Sequence, residues 1–138
     1  GLSKVLEEKI LSNFSTFDLT CEKDYKIALS VALSDLFLDY ALYNEINSGI
    51  GRLDIMLLPK KRNLPAIIIE VKHSKAKKQI SAQTINKLAC NAFEQIQEME
   101  YYRFPFKLGI KEIYAYGMGF WKNKSSIVFK KIINEQSI

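Results

Sequence analysis

The sequence predicts an α/β fold: a mixed central β-sheet flanked by helices. Three observations carry that prediction. The stretches Gly51–Pro59 and Pro65–Lys72 read as two strands joined by a short basic turn. Segments 22–37 and 80–103 repeat apolar residues at helical spacing. Segments 111–121 and 125–131 read as a hairpin across Lys122-Asn123-Lys124.

Residues 3–14 are expected to form a first helix, with Ser3 as N-cap and Leu2, Val5, Leu6 and Ile10 on one side. A second helix over 22–37 aligns Tyr25, Ala28, Leu29, Ala32, Leu33 and Leu36 into one apolar stripe. Leu38 to Asn47 reads as a strand, and Ser48-Gly49 is a turn signal leading into the next one. Side chains alternate along a strand. Leu53, Ile55 and Leu57 therefore share one face, and Arg52, Asp54 and Met56 the other. Asn63-Leu64-Pro65 closes the following connection. In the next strand Ile68, Glu70 and Lys72 share a face opposite Ile67, Ile69 and Val71. The unbroken apolar run Ala66–Ile69 suits a strand covered on both sides. A long helix from Ile80 to about Arg103 buries Ile85, Leu88, Ala89, Ala92, Phe93, Ile96 and Met99, and Pro105 is expected to end it. The predicted order is α-α-β-β-β-α-β-β.

The 138 residues suit a single domain spanning 1–138, with 48% apolar and 12% aromatic residues to build its interior. Such a composition is too apolar for a disordered chain. No apolar run approaches the length of a membrane-spanning helix, and no secretory signal pattern is present. An intracellular protein is expected. The chain begins at Gly1 rather than Met, as expected of a domain taken from a longer protein. Cys21 and Cys90 lack metal-ligand spacing and are read as reduced thiols.

A formal charge of +5 permits a polyanionic partner. The cations are clustered. Lys60, Lys61 and Arg62 fill the turn between the two central strands, while Lys72, Lys75, Lys77 and Lys78 follow the second. These are either solvated turns or groups that draw phosphates toward a site between the strands. His73, the only histidine, is expected near that site rather than acting as its base.

Asp54, Glu70 and Lys72 are the residues most suggestive of chemistry. Fifteen residues separate the two acids, yet the strand pattern brings both to neighbouring strands. Glu70 emerges at the end of a buried strand, where a lone carboxylate is costly unless paired or metal-bound. Glu-x-Lys is compatible with a simple salt bridge at a strand end and with a divalent-metal site.

The ordered set Ser48-Gly49-Ile50-Gly51-Arg52-Leu53-Asp54-Ile55-Met56-Leu57, then Ile67-Ile68-Ile69-Glu70-Val71-Lys72, resembles the PD-(D/E)XK nuclease superfamily. Ala92-Phe93-Glu94-Gln95-Ile96 through Tyr101, and Ile113-Tyr114-Ala115-Tyr116-Gly117, extend the likeness across roughly residues 22–130. It looks closest to a branch fused to AAA-ATPase-like proteins and found in nuclease modules of some symbiont toxins, a kinship that also admits a secreted effector. The resemblance implies a restriction-endonuclease-like core of order α-β-β-β-α-β. It implies Asp54, Glu70 and Lys72 as catalytic residues, with Mg²⁺ or Mn²⁺ held by Asp54, Glu70 and the Val71 carbonyl. It further implies hydrolysis of phosphodiester bonds, most often in DNA, by a water that the ion acidifies and Lys72 positions.

Gln95 would orient the phosphate or the attacking water. Family spacing pairs it with Tyr101, whereas the helical wheel puts Tyr102 on its flank. Arg52 is either a phosphate contact or an ion-pair partner, and Lys75 a further phosphate contact. Related sequences often carry an acid directly before the Ser-Gly turn, where this chain has Asn47. Glu45, on the same strand face, and Glu22 are the acids available instead; without them two carboxylates hold one ion. No element resembles a base-reading helix, so little sequence specificity is expected. The alternative is a nuclease-fold module of weak or absent turnover that binds nucleic acid or a protein partner. A third reading is a structural domain whose basic surface serves only solubility.

Overall fold

A computed structural model describes residues 38–47, 52–122 and 124–134, together with Glu8, Leu29, Val31, Leu33 and Ser34. The side chains of residues 44–47, 52 and 53 are outside that description. Most of the two predicted N-terminal helices also lies outside it.

Five strands form one sheet in the order β1-β2-β3-β4-β5. They are β1 (Tyr40–Asn47), β2 (Arg52–Pro59), β3 (Ala66–His73), β4 (Glu112–Trp121) and β5 (Lys124–Ile133). Only β3 and β4 run parallel; the other neighbours are antiparallel. The connection between the parallel pair carries α1 (Ala82–Glu98) and the short α2 (Arg103–Lys107). Parallel neighbours require such a crossover.

The period of two divides the core as the sequence predicts. Ile55, Leu57, Ile67, Ile69 and Val71 join Tyr116, Met118 and Phe120 of β4 on one face, where Leu29 and Leu33 also pack. Met56, Ala66 and Ile68 join Ile113 and Ala115 on the other, beneath Phe93 and Ile96 of α1. Leu29 and Leu33, both fully buried, are four apart and belong to the stripe expected of the second helix. On α1, Ile85, Ala89, Ala92, Phe93 and Ile96 are buried as expected, while Leu88 and Met99 are only half-buried.

The long helix differs from expectation at its C-terminal end. It stops at Glu98 rather than near Arg103, and Pro105 does not end it. Glu100 takes a left-handed φ of 52° and turns the chain out of the helix. Non-glycine residues seldom adopt that conformation, so residue type gave no warning. Pro105 sits in the first turn of α2, where its missing N–H would have had no helical partner anyway. The described order therefore includes an extra helix, β-β-β-α-α-β-β. At the other end, Ser81 caps α1 by accepting the Thr84 N–H at 3.1 Å.

Gly117 and Gly119 of β4 determine how closely α1 lies on the sheet. A Cβ at Gly117 would stand 2.4 Å from the Ala89 carbonyl oxygen and 2.5 Å from the Phe93 nitrogen. At Gly119 it would stand 2.4 Å from the Ile85 carbonyl oxygen. The helix backbone thus rests on the strand where no side chain intervenes. These glycines pair with Glu70 and Lys72 of β3, so the close contact lies beside the suspected site. Gly117→Ala or Gly119→Ala is expected to lower stability by about 1–3 kcal/mol, since overpacking against backbone cannot be relieved by a rotamer change. Urea denaturation measures the loss.

Candidate active site

Antiparallel β2 and β3 pair from Leu57 with Ile67 to Ile55 with Ile69. One step further, the same register puts Asp54 opposite Glu70. Both side chains project to the face that α1 covers, because residues 54 and 70 alternate with Ile55 and Ile69. Asp54 is 8% exposed and Glu70 4%, the two buried charged side chains among the described residues.

Each carboxylate is held. Asp54 Oδ2 accepts the Val71 main-chain N–H at 2.9 Å. Glu70 Oε2 accepts the Gln95 side-chain N–H from α1 at 3.0 Å. The same Gln95 nitrogen lies 3.4 Å from the Tyr101 hydroxyl. Tyr101, fully buried, is therefore the tyrosine beside Gln95, the one that family spacing pairs with it. Tyr102 instead packs against Phe106, with ring centroids 5.8 Å apart.

Burial pushes the Glu70 carboxyl up to about 10, helped by its hydrogen bond to Asp54 and by the Asp54 charge. The Lys72 charge and the Val71 N–H act in the opposite direction. Burial and the neighbouring Asp54 thus both favour the protonated Glu70 carboxyl. A divalent ion can take the place of that proton. The donors are hard oxygens, which suit Mg²⁺ or Mn²⁺. No group of three or more acidic, histidine or cysteine side chains forms a metal cluster among the described residues.

Lys72 shares the Glu70 face and is half-buried. It does not form the salt bridge with Glu70 that the sequence allowed; Gln95 and Asp54 are the hydrogen-bond partners, and Lys72 acts on the carboxyl through its charge. His73 is half-buried, and alternation turns it to the opposite face, away from the two acids. Lys75 is exposed on the loop leaving β3 at the same end of the sheet.

Of the two readings of the basic turn, the geometry favours the solvated one. Lys60, Lys61 and Arg62 follow the far end of β2, six residues beyond Asp54, which at strand spacing is about 20 Å away. Lys61 pairs with Asp39 at 2.7 Å, and the turn lines a separate cavity of about 560 Å³ with residues 108–112. It does not face the acids.

Other expected site residues fall outside the description. Glu22 is among the undescribed positions, as are the side chains of Glu45, Asn47 and Arg52. The backbone of Glu45 lies in β1 between Asn44, which pairs with Ile55, and Ile46, which pairs with Leu53. That position faces Asp54. Cys90 is a free thiol; Cys21 is not described. Sequence reasoning overlooked Gly117 and Gly119. Glycine at alternate positions of an apolar strand was the available signal of close backbone approach.

The model of a family described as the PD-(D/E)XK nuclease superfamily matches residues 20–130. No curated protein matches the chain.

The raised carboxyl has a consequence for stability. Glu70 binds its proton more tightly folded than unfolded, where the ordinary value is 4.5. Its stabilising contribution is complete below that value and is lost as pH rises toward about 10. In EDTA, Glu70→Gln is therefore expected to match the wild type near pH 4 and to exceed it at pH 8 by about 1–3 kcal/mol, the penalty of an ill-compensated buried group. Urea unfolding across that pH range checks the divergence.

Proposed function

The chain belongs to the PD-(D/E)XK nuclease superfamily, and from that premise we propose that it is a Mg²⁺- or Mn²⁺-dependent nuclease that hydrolyses DNA with little sequence preference. One observation carries the reading: Asp54 and Glu70, both buried, stand opposite each other on neighbouring strands, with Lys72 beside them on the same strand face. PD-(D/E)XK nucleases generally use divalent metal ions, and this pair of acids fits one.

Asp54, Glu70 and the Val71 carbonyl are the proposed ligands. When bound, the ion would polarise the scissile phosphate and lower the pKa of a coordinated water. Lys72 orients the attacking water and offsets negative charge as it develops on the phosphate. The Val71 N–H fixes Asp54 Oδ2 and so orients that carboxylate toward Glu70. Gln95 holds Glu70 Oε2 and is itself set by Tyr101, so the helix aligns the second acid before substrate arrives.

DNA is favoured by the family's usual substrate and is compatible with the net charge of +5. An intracellular site of action, whether the protein is made there or delivered, belongs to the same proposal. No helix among the described residues is long and apolar enough to cross a membrane. The kinship with the AAA-ATPase-fused and toxin-module branch belongs to the same proposal.

Plasmid nicking with added Mg²⁺ or Mn²⁺ tests the reading. Asp54→Ala, Glu70→Ala and Lys72→Ala are each expected to lower the cleavage rate by about 100-fold or more, and EDTA to stop it. Metal-dependent DNA binding without cleavage, or cleavage that survives all three substitutions, would overturn the proposal. Gln95→Ala is expected to act more weakly, raising the metal concentration for half-maximal rate by about 10-fold. Excess metal should then restore the rate, which a merely unfolded variant would not show.

A further inference from the structure

The end of the sheet that carries the two acids is cationic well beyond Lys72. The sequence from Val71 to Phe93 contains no Asp or Glu, and neither does Ile113 to Asn134. The first stretch leaves β3 and enters α1; the second forms most of β4 and all of β5. They converge where the parallel strands end. Lys72 pairs with Gly119, and Trp121 lies two residues further along β4. Strand spacing puts Trp121 about 8 Å from Lys72, and Lys124, its partner on β5, about 12 Å away.

Two hydrogen bonds brace the loop at this end. The Ser74 N–H donates to the Phe120 carbonyl at 2.9 Å. The Trp121 indole N–H donates to the Ala76 carbonyl at 2.8 Å. Lys75, Lys77 and Lys78 are exposed on this tethered loop. The ammonium groups of Lys122 and Lys124 lie 4.9 and 5.8 Å from the centre of the Trp121 ring. One buried indole thus holds the loop with its N–H and draws the hairpin cations toward its π-face. Holding like charges close together opposes protein stability, and no acid within either stretch offsets it. Such a surface suits a ligand that brings regularly spaced negative charge.

Building on the nuclease reading, we infer that this end of the sheet is the track for the substrate's phosphate backbone. It leads from the Asp54–Glu70 site across the loop of Lys77 and Lys78 to Lys122 and Lys124. The turn of Lys60, Lys61 and Arg62, at the opposite end, takes no part. The contacts are to phosphates, so the track confers affinity and register but no base preference.

The test is fluorescence anisotropy with a short labelled DNA, duplex and single-stranded in separate arms, titrated with salt in EDTA. Two double variants remove track charge: Lys77→Gln with Lys78→Gln, and Lys122→Gln with Lys124→Gln. A third, Lys61→Gln with Arg62→Gln, removes the same charge from the far turn. Each track variant is expected to bind about 10-fold more weakly and to reduce the slope of log K against log salt by about 1–2. The far-turn variant should leave the slope unchanged. Equal weakening by all three, wild-type slopes in the track variants, or no DNA binding at low salt would overturn the inference. Because binding is read without metal or turnover, a failure of cleavage refutes the nuclease reading without erasing a change in slope.

Discussion

Everything at this site depends on a helix lying directly against a strand. Gly117 and Gly119 give α1 no side chain to ride over, so its backbone settles onto β4. Because those glycines are in register with Glu70 and Lys72, the closest part of the contact falls beside the two residues proposed to be catalytic. Gln95 is thereby brought within 3.0 Å of Glu70, a reach a more distant helix would not give it. A packing constraint on one strand becomes a positional constraint on a carboxylate of the next.

The second consequence is electrostatic. Closing the helix over β3 excludes water from Glu70, and the β2–β3 register sets Asp54 directly across from it. Two acids in a dry setting repel one another unless a proton or a cation intervenes. The main-chain N–H of Val71 and the Gln95 amide partly compensate, but both also fix the carboxylates where they oppose each other. The fold thus keeps an arrangement that opposes its own metal-free stability, as expected where function rather than packing sets the geometry. The cations divide in the same way: those beyond Lys72 lie on the loop leaving β3, at the acids' end of the sheet, and those of the 60–62 turn lie at the other end.

Much of this was legible in the residues. Alternation along β2 and β3 is a local property, so the faces of Asp54, Glu70 and Lys72 could be assigned from order alone. The apolar run Ala66–Ile69 signalled a doubly covered strand, and those residues are fully buried. The helical stripe from Ile85 to Ile96 gave the face that α1 buries. Less legible was the end of α1, because Glu100 adopts a conformation its residue type disfavours. The helical wheel offered Tyr102, since it extended a helix that in fact ends at Glu98. Lys60–Arg62 was close to the acids in sequence but not in space, because each strand carries the chain about 3.3 Å per residue away from them.

By itself, the sequence determined which residues share a face and which segments bury an apolar side, since both follow from the repeat of the backbone. Only the tertiary structure decided which faces meet. It chose Gln95 over Lys72 as the hydrogen-bond partner of Glu70, and Tyr101 over Tyr102 beside Gln95. It also separated the two basic segments to opposite ends of the sheet. These choices depend on how closely one element approaches another. That distance is set by the volume of side chains far apart in the sequence, here by the absence of any at Gly117 and Gly119.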